Sequence, residues 1–398
     1  MARKTSLVIL LCSLVLVVGL AAGMAWQRDT KDPNGPLQQM GIMVEVYEHV
    51  KTDYVTTPNM AKVSSGALHG LLDSLDADSS YLDPAQYQAF LQDQQHPPAA
   101  DVGAVFSKRV GYADVVDVQP GGPAAKAGLV RGDFVEAIGA EGTRDMSMAE
   151  IDHLLGGAPG STVTMGVVHL HQSDPVQITI TRAAPARLPL RVSEQGAVGI
   201  IGVPDFSGNR AAQIAAAVRR LKGQGAHAFV LDLRNCGAGA YADAALAANV
   251  FLDHGTITYL QGQRYPRVTT TADAAHAVDA TDPLEVVVNF GTSGPAEAVA
   301  AALQQNGRAK LVGDHSFGEG SLQKLIPVGD GSAIWLTVAR YFTPKGQPVQ
   351  DGLAPDVEQV QYAGALPDLD YRPEGVTGPL PDLQLQKALQ LVSAAGQK

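Results

Sequence analysis

From Val198 onward, short apolar runs alternate with longer amphipathic stretches, and this alternation constrains the fold more than any other feature of the chain. Residues 198–203, 229–233 and 284–289 are compact runs rich in Val, Ile and Leu, of the length and composition of buried strands. Between and after them, residues 211–221, 243–252 and 295–305 place apolar residues at helical spacing. The last of these has Pro near its start, where a missing N–H costs nothing. Residues 309–312 and 334–339 read as further strands. Strands alternating with helices predict an α/β core.

The preceding stretch, residues 101–183, has a different character. Val115, Val116 and Val118 read as a strand, Gly121-Gly122-Pro123 as a turn, and residues 124–127 as a short helix stopped by Gly128. A strand follows at 134–138. A helix runs from Ser147 to Leu155 and ends at Gly156-Gly157. Residues 163–170 and 176–181 form two paired strands with a turn near Ser173-Asp174-Pro175.

Nearer the N-terminus, Met40, Met43, Val44, Tyr47 and Val50 recur at helical spacing within residues 37–55, and 61–75 reads as a second helix. Residues 79–84 read as a turn, with Asp83 as N-cap and Pro84 as first residue of a short helix reaching Gln92. Residues 28–36 and 94–100 read as linkers, and a Pro-rich tail after Tyr362 closes in a short helix near 383–394. The expected division is 1–27, 28–97, 98–184, 185–362 and 363–398.

Residues 5–25 carry no charge and are rich in Leu and Val, with Arg3 and Lys4 before them and Arg28-Asp29 after. At about 1.5 Å per residue the run is long enough to cross a bilayer as a helix. The flanking charges predict an anchor in the inner membrane and an exported body facing the periplasm or exterior. Cleavage as a signal peptide is the alternative, since Ala21-Ala22-Gly23 offers small residues; the body would then be secreted. Cys12 follows Ile-Leu-Leu and lacks the small residue expected before a lipidated cysteine.

The formal net charge of −11, with no basic run beyond the start, argues against nucleic acid as a partner. The two cysteines, Cys12 and Cys236, lie too differently placed to predict a disulfide. The ten histidines are scattered, and no metal or cofactor is expected.

Residues 119–139, from Gln119-Pro-Gly-Gly-Pro through Val130-Arg-Gly-Asp-Phe to Gly139, resemble the core of PDZ domains. Such domains add the free carboxyl end of a peptide to a sheet edge, and a tight loop of backbone N–H groups holds the carboxylate. The resemblance assigns that loop to Asp101, Val102, Gly103 and Ala104, and the groove wall to the helix bearing Ile151, Leu154 and Leu155. Asp101 stands where the family loop usually has a second Gly, and its carboxylate would repel a ligand's.

Three further motifs resemble the C-terminal processing peptidases. Asp232-Leu-Arg-Asn-Cys-Gly-Ala-Gly239 is similar to the family's Asp-Leu-Arg-Asn-x-Pro-Gly-Gly, with departures at Cys236 and Ala238. Asn289-Phe-Gly-Thr-Ser-Gly-Pro-Ala-Glu297 is similar to Asn-x-Gly-Ser-Ala-Ser-Ala-Ser-Glu. Ser316-Phe-Gly-Glu-Gly-Ser-Leu-Gln323 is similar to Thr-Phe-Gly-Lys-Gly-x-x-Gln, and residues 333–346 and 352–356 continue the pattern. The implied fold is an α/β peptidase-like core of the ClpP/crotonase-like kind, joined to a PDZ domain and an N-terminal helical segment.

In that family the serine of the second motif is the nucleophile and the lysine of the third its general base, aided by the glutamine. The nucleophile position here is Gly294 and the base position Glu319, while Gln323 matches the assisting glutamine. Oxyanion donors would come from the loop Gly237, Ala238 and Gly239 and from the residue after the nucleophile, but Pro295 has no N–H. Ala238 accepts positive φ poorly, which puts the loop's shape in question.

The expectation is a pseudopeptidase that binds protein or peptide C-termini and scaffolds or regulates proteolysis in the envelope, with an active peptidase relative as a possible partner. Two alternatives stand: a serine endopeptidase with a displaced nucleophile, Ser293, and a structural envelope protein with a blocked PDZ groove. Cys236 is a further conceivable nucleophile, and Lys310 and Lys324 are the lysines nearest in sequence to the base position.

Overall fold

The computed structural model describes residues 36–108, 111–169, 172–360 and 381–396. The proposed anchor or signal segment, 1–27, lies outside the described residues. Among the described residues no helix is long and apolar enough to cross a membrane. The chain divides into two units, one up to Leu68 and one from His69.

The first unit contains α1 (Pro36–Asp53) and the start of α2 (Met60–Asp73). Large apolar side chains of α1 are exposed, Met40, Met43 and Val44 among them.

The second unit begins its sheets with a strand where a turn was expected. Residues 80–82 form β1 (Ser80–Leu82), which pairs antiparallel with a long strand near the far end of the chain, Ser80 opposite Trp335. Sequence-local turn chemistry missed it because its partner lies far away in the chain. Asp83 then caps α3 (Pro84–Gln95) as expected: its carboxylate accepts from the N–H groups of Ala85 and Gln86, and the Gln86 side chain accepts from the Asp83 N–H.

The PDZ sheet follows: β2 (Ala104–Lys108), β3 (Ala113–Val118), α4 (Pro123–Lys126), β4 (Phe134–Ile138), β5 (Glu141–Gly142), α5 (Met148–Leu155), β6 (Thr162–Val168) and β7 (Val176–Thr181). Its strand order is β2-β3-β4-β6-β7, with β5 paired to β4, so β2 is an edge strand. Ser147 caps α5 by accepting from the Glu150 N–H, and Gly156 ends it. Val102, Phe106, Ala113, Val115, Ile151, Met165 and Ile180 are buried together in the domain's own core.

The larger core contains β8 (Arg191–Gln195), β9 (Val198–Gly202), α6 (Arg210–Gly223), β10 (Ala228–Asp232), α7 (Tyr241–Asn249), β11 (Thr256–Gln261), β12 (Val268–Thr271), β13 (Leu284–Val288), α8 (Pro295–Gln305), β14 (Lys310–Gly313), β15 (Ser321–Pro327), β16 (Ala333–Phe342), β17 (Val357–Glu358) and α9 (Leu383–Ala395). One sheet runs β17-β14-β13-β10-β9-β8, parallel except for β8. Its strands are apolar on both faces because both faces are covered. Leu231, Val286 and Val288 face α6, α7 and α8, while Val230, Val287 and Val312 face α9. A second, antiparallel sheet runs β1-β16-β11-β12, with β15 against β16. The loops that follow β10, β13 and β14 all leave the carboxyl ends of parallel strands, where α/β sheets place their sites.

Candidate functional site

Those three loops are the three motifs, and hydrogen bonds join them. Asn289 at the end of β13 donates from its side-chain amide to Asn235 Oδ1 (2.8 Å) and accepts from the Asn235 N–H (3.1 Å). The Thr292 hydroxyl donates to the Leu233 carbonyl at 2.9 Å, and the Ser293 N–H donates to the Cys236 carbonyl at 3.1 Å. The loop after β10 is thereby fastened to the turn that enters α8.

Gly294 is the residue of that turn immediately before α8, with φ +53° and ψ −116°. This is a sharp strand-to-helix elbow, the geometry that exposes a nucleophile in hydrolases of several folds. A Cβ at this position would meet only ordinary contacts: the Glu319 carbonyl at 3.7 Å, the Gly237 carbonyl at 3.8 Å and the Tyr241 hydroxyl at 4.0 Å. Space for a side chain is thus retained while the side chain is absent. A non-glycine residue with this φ would carry strain of about 1–3 kcal/mol, and glycine removes it.

Glu297, one turn into α8, was quoted in a motif but not assigned a role by the sequence. It is fully buried. Its Oε2 accepts from the Gly294 N–H (2.9 Å) and the Glu319 N–H (2.8 Å). Its Oε1 accepts from the Ser316 hydroxyl (2.5 Å) and the Gly318 N–H (2.7 Å). Burial pushes this carboxyl up to about 7, against the opposing pull of the four donors. One carboxyl group therefore pins the elbow to the loop that carries the base position. The signal available in sequence was a Glu three residues into a helix, the capping-box position.

Tyr241, the first residue of α7, is a second member that sequence reasoning missed. Its hydroxyl donates to the Glu319 carbonyl at 2.6 Å, and its ring stacks on Tyr341 at 3.5 Å and 2°. Burial holds the phenol well above its ordinary pKa, so it stays neutral. Glu319 itself is half-buried. Gln323 lies on β15 and donates to the Ser321 hydroxyl (2.6 Å), which donates to Asp78 Oδ2 (2.5 Å). Asp78 was not singled out in the sequence; burial raises its pKa, and the Ser321 hydrogen bond opposes this.

The oxyanion-type loop keeps a defined shape, and the concern over Ala238 is corrected. Among the described residues Asn235, not Ala238, is the non-glycine residue with positive φ, at +54°, while Gly239 takes +124°. Asn tolerates that region better than most side chains. Gly239 is required where it stands, because a Cβ would come within 2.2 Å of the Phe206 carbonyl. The Phe206 N–H donates to the Ala238 carbonyl at 2.8 Å.

Ser293 is fully buried, with its hydroxyl toward Gly237 and no hydrogen-bond partner. Lys310 and Lys324 are exposed. Cys236 is fully buried, and burial pushes its thiol well above the ordinary range, which keeps it protonated and unreactive.

In the PDZ loop, Asp101 Oδ1 accepts from the Gly103 N–H at 2.8 Å. Gly103 has φ +71°, and a Cβ there would press on Pro123 at 2.9 Å. Val102 is buried and Ala104 begins β2 at the sheet edge. Ile151 and Leu155 are buried in the domain core, with Leu154 packed partly against it. The PDZ domain also reaches the core: the Arg131 guanidinium donates to Asn235 Oδ1, and the Gln119 amide donates to the Ala186 carbonyl at 2.9 Å. Among the described residues, no cluster of His, Cys, Asp and Glu is arranged to hold a metal ion.

A PDZ module beside an α/β core with a nucleophile-type elbow, an oxyanion-type loop and a tethered third loop defines a serine-peptidase-like protein. The profile of Peptidase family S41 matches residues 197–359, and that of the PDZ domain matches residues 115–168. A carboxy-terminal-processing protease of Bartonella bacilliformis is 30% identical over 346 residues, covering 84% of this chain and 78% of that one. The chloroplastic carboxyl-terminal-processing peptidase 2 of Arabidopsis thaliana is 31% identical over 250 residues, covering 61% of this chain and 48% of that one. Among solved structures, the photosystem II D1 C-terminal processing protease superposes with a TM-score of 0.67 at 26% identity, covering 80% of this chain and 92% of that one. The chain belongs to the C-terminal processing peptidase family.

Proposed function

We propose that this chain is a polypeptide-binding member of the family that does not hydrolyse what it binds. The observation that carries this reading is the elbow at Gly294. Its backbone geometry and side-chain space are those of a nucleophile, yet it bears no hydroxyl, and the base position holds a carboxylate, Glu319. Acyl transfer needs a hydroxyl and a neutral base to take its proton. Without the hydroxyl, no acyl-enzyme can form at position 294, and the family's reaction has no nucleophile there. The buried, unpartnered Ser293 and the protonated Cys236 offer no substitute.

The intact frame around the vacancy supports binding rather than decay. β2, an edge strand among the described residues, suits strand addition, and the N-terminal run suits a place at the cell envelope, where the chain would scaffold or regulate proteolysis. One observation favours the narrower reading in which the PDZ groove is closed to C-termini: Asp101 already occupies the Gly103 N–H.

The test is incubation of the full chain, solubilised in mild detergent, with an unfolded, alkylated protein, beside Gly294→Ser/Glu319→Lys. The expected result is retention of the unfolded protein without cleavage by the native chain. Cleavage that Ser293→Ala abolishes would establish the displaced-nucleophile alternative instead.

A further inference from the structure

The vacancy at the elbow is walled by oxygen. The three atoms nearest to where a Cβ at position 294 would stand are the Glu319 carbonyl oxygen at 3.7 Å, the Gly237 carbonyl oxygen at 3.8 Å and the Tyr241 hydroxyl oxygen at 4.0 Å. Each can accept a further hydrogen bond. Among the described residues no donor reaches the Gly237 carbonyl. The Glu319 carbonyl accepts from the Tyr241 hydroxyl at 2.6 Å and keeps a second lone pair, and the phenol oxygen, having donated, still accepts.

This arrangement is the reverse of an acyl-transfer site, which turns N–H donors toward an oxyanion. Here the Gly237 carbonyl faces the vacancy, and Pro295 has no N–H to offer. The charges nearby agree in sign. Burial above all, and then the carboxyl groups of Glu297, Glu319 and Asp78, raise the pKa of the Tyr241 phenol. The hydroxyl beside the vacancy therefore lies in a negative field. Gly237, Tyr241 and Glu319 are each partly exposed, so the rim of the vacancy reaches solvent.

A ligand suited to this seat carries positive charge and several donors in a small volume. A primary ammonium has three N–H donors on one atom, to meet three acceptors. A guanidinium spreads its donors over a wide plane, which a space bounded this closely does not admit.

We infer that the vacated elbow seats a primary ammonium of the bound polypeptide, either a lysine side chain or the N-terminus of the bound chain. The inference rests on the reading that this protein binds polypeptide without cutting it, and it names the group that the emptied position selects. The two sources share one chemistry, and the experiment separates them.

The test measures fluorescence anisotropy of N-acetylated, C-terminally labelled peptides of one Gly/Ser/Thr-rich sequence, with the full chain in mild detergent at about 0.15 M salt. The central residue is norleucine, Lys or Arg, and a fourth peptide is the norleucine form without its acetyl group. The Lys peptide is expected to bind about tenfold tighter than the norleucine peptide, which has the same stem and no amine, and the Arg peptide no tighter than norleucine. Gly294→Ala, which fills the seat, and Glu319→Gln, which removes a charge beside it, should each bring the Lys peptide down to the norleucine level. Melting curves confirm folding, and either variant suffices if the other unfolds.

A gain for the Lys peptide or for the unacetylated peptide, erased by the folded variants, supports the inference and names the source of the ammonium. Equal binding of all four peptides would overturn it and leave non-hydrolytic binding standing. A Lys preference that Arg matches, or that survives a folded variant, would overturn it too, because it would then reflect only the chain's net charge of −11. Failure of every peptide and of the unfolded protein to bind would overturn both readings.

Discussion

The PDZ loop and the elbow depart from their families in opposite ways. At the PDZ loop a group has been added: Asp101 stands where the family loop usually has a second Gly, and its Oδ1 accepts from the Gly103 N–H. At the elbow a group has been removed: Gly294 leaves backbone and space in place but no side chain. An occupied site can be reopened by displacing or deleting the occupant, so affinity there is adjustable. A vacated catalytic position needs new chemistry, so activity there is all or nothing.

The largest expected effect lies on the vacated side. Gly294→Ser/Glu319→Lys should convert undetectable hydrolysis of an unfolded protein into a measurable rate. Adding Pro295→Ala, which supplies the missing N–H, should raise it by a further factor of about 10²–10³ in kcat. Equal rates for the double and triple variants would show that the N–H of residue 295 does not serve the oxyanion.

Next comes the clamp that keeps the vacated site in shape. Glu297→Ala strands three buried donors and a fourth that is partly buried, and should lower unfolding stability by about 3–5 kcal/mol, read from urea denaturation. A loss below about 1 kcal/mol would mean that water replaces the carboxyl group.

On the occupied side the effect is smaller. Asp101→Gly should tighten binding of a peptide with a free C-terminal carboxylate about tenfold, and leave the same peptide amidated at its end unchanged. Parallel gains for both forms would break the contrast, because the loop would then not be reading a carboxylate.

The smallest effect tests the sheet that leads into the elbow. Glu285 on β13 is buried, with one carboxyl oxygen unpartnered, and burial pushes it up to about 7. Its contribution to stability is present below the ordinary carboxylate range and is lost as pH rises through about 7, where the charge must form inside. Glu285→Gln should therefore stabilise the protein at pH 8 by on the order of 1 kcal/mol relative to wild type, and by less at pH 5. Equal differences at the two pH values would place the charge in contact with solvent.

Much of this was legible in the sequence because it depends on local pattern. The buried strands, the Asp83 cap and the start of a helix at Ser147 follow from neighbouring residues, while the motif positions Gly294 and Glu319 came from the family resemblance. What was missed depends on partners far away in the chain. β1 exists because β16 pairs with it, and Tyr241 matters because Glu319 and Tyr341 come to it. The role of Glu297 needed the loop 316–319 folded back onto α8. The strain attributed to Ala238 falls instead on Asn235, because the sequence shows that a tight loop is present but not which residue takes the left-handed turn.

Asn235 also receives a hydrogen bond from Arg131 of the PDZ domain, beside Gly291, where a Cβ would come within 2.7 Å of Asn235 Oδ1 and 3.0 Å of the Arg131 guanidinium. The consequence is a limit on modularity. A version of the chain with the PDZ segment excised would lose a brace on the loop 235–239, so a deletion phenotype would mix the loss of the PDZ domain with an altered frame around Gly294. Dissecting this protein by domain removal would therefore confound two effects that single substitutions at Arg131 can separate.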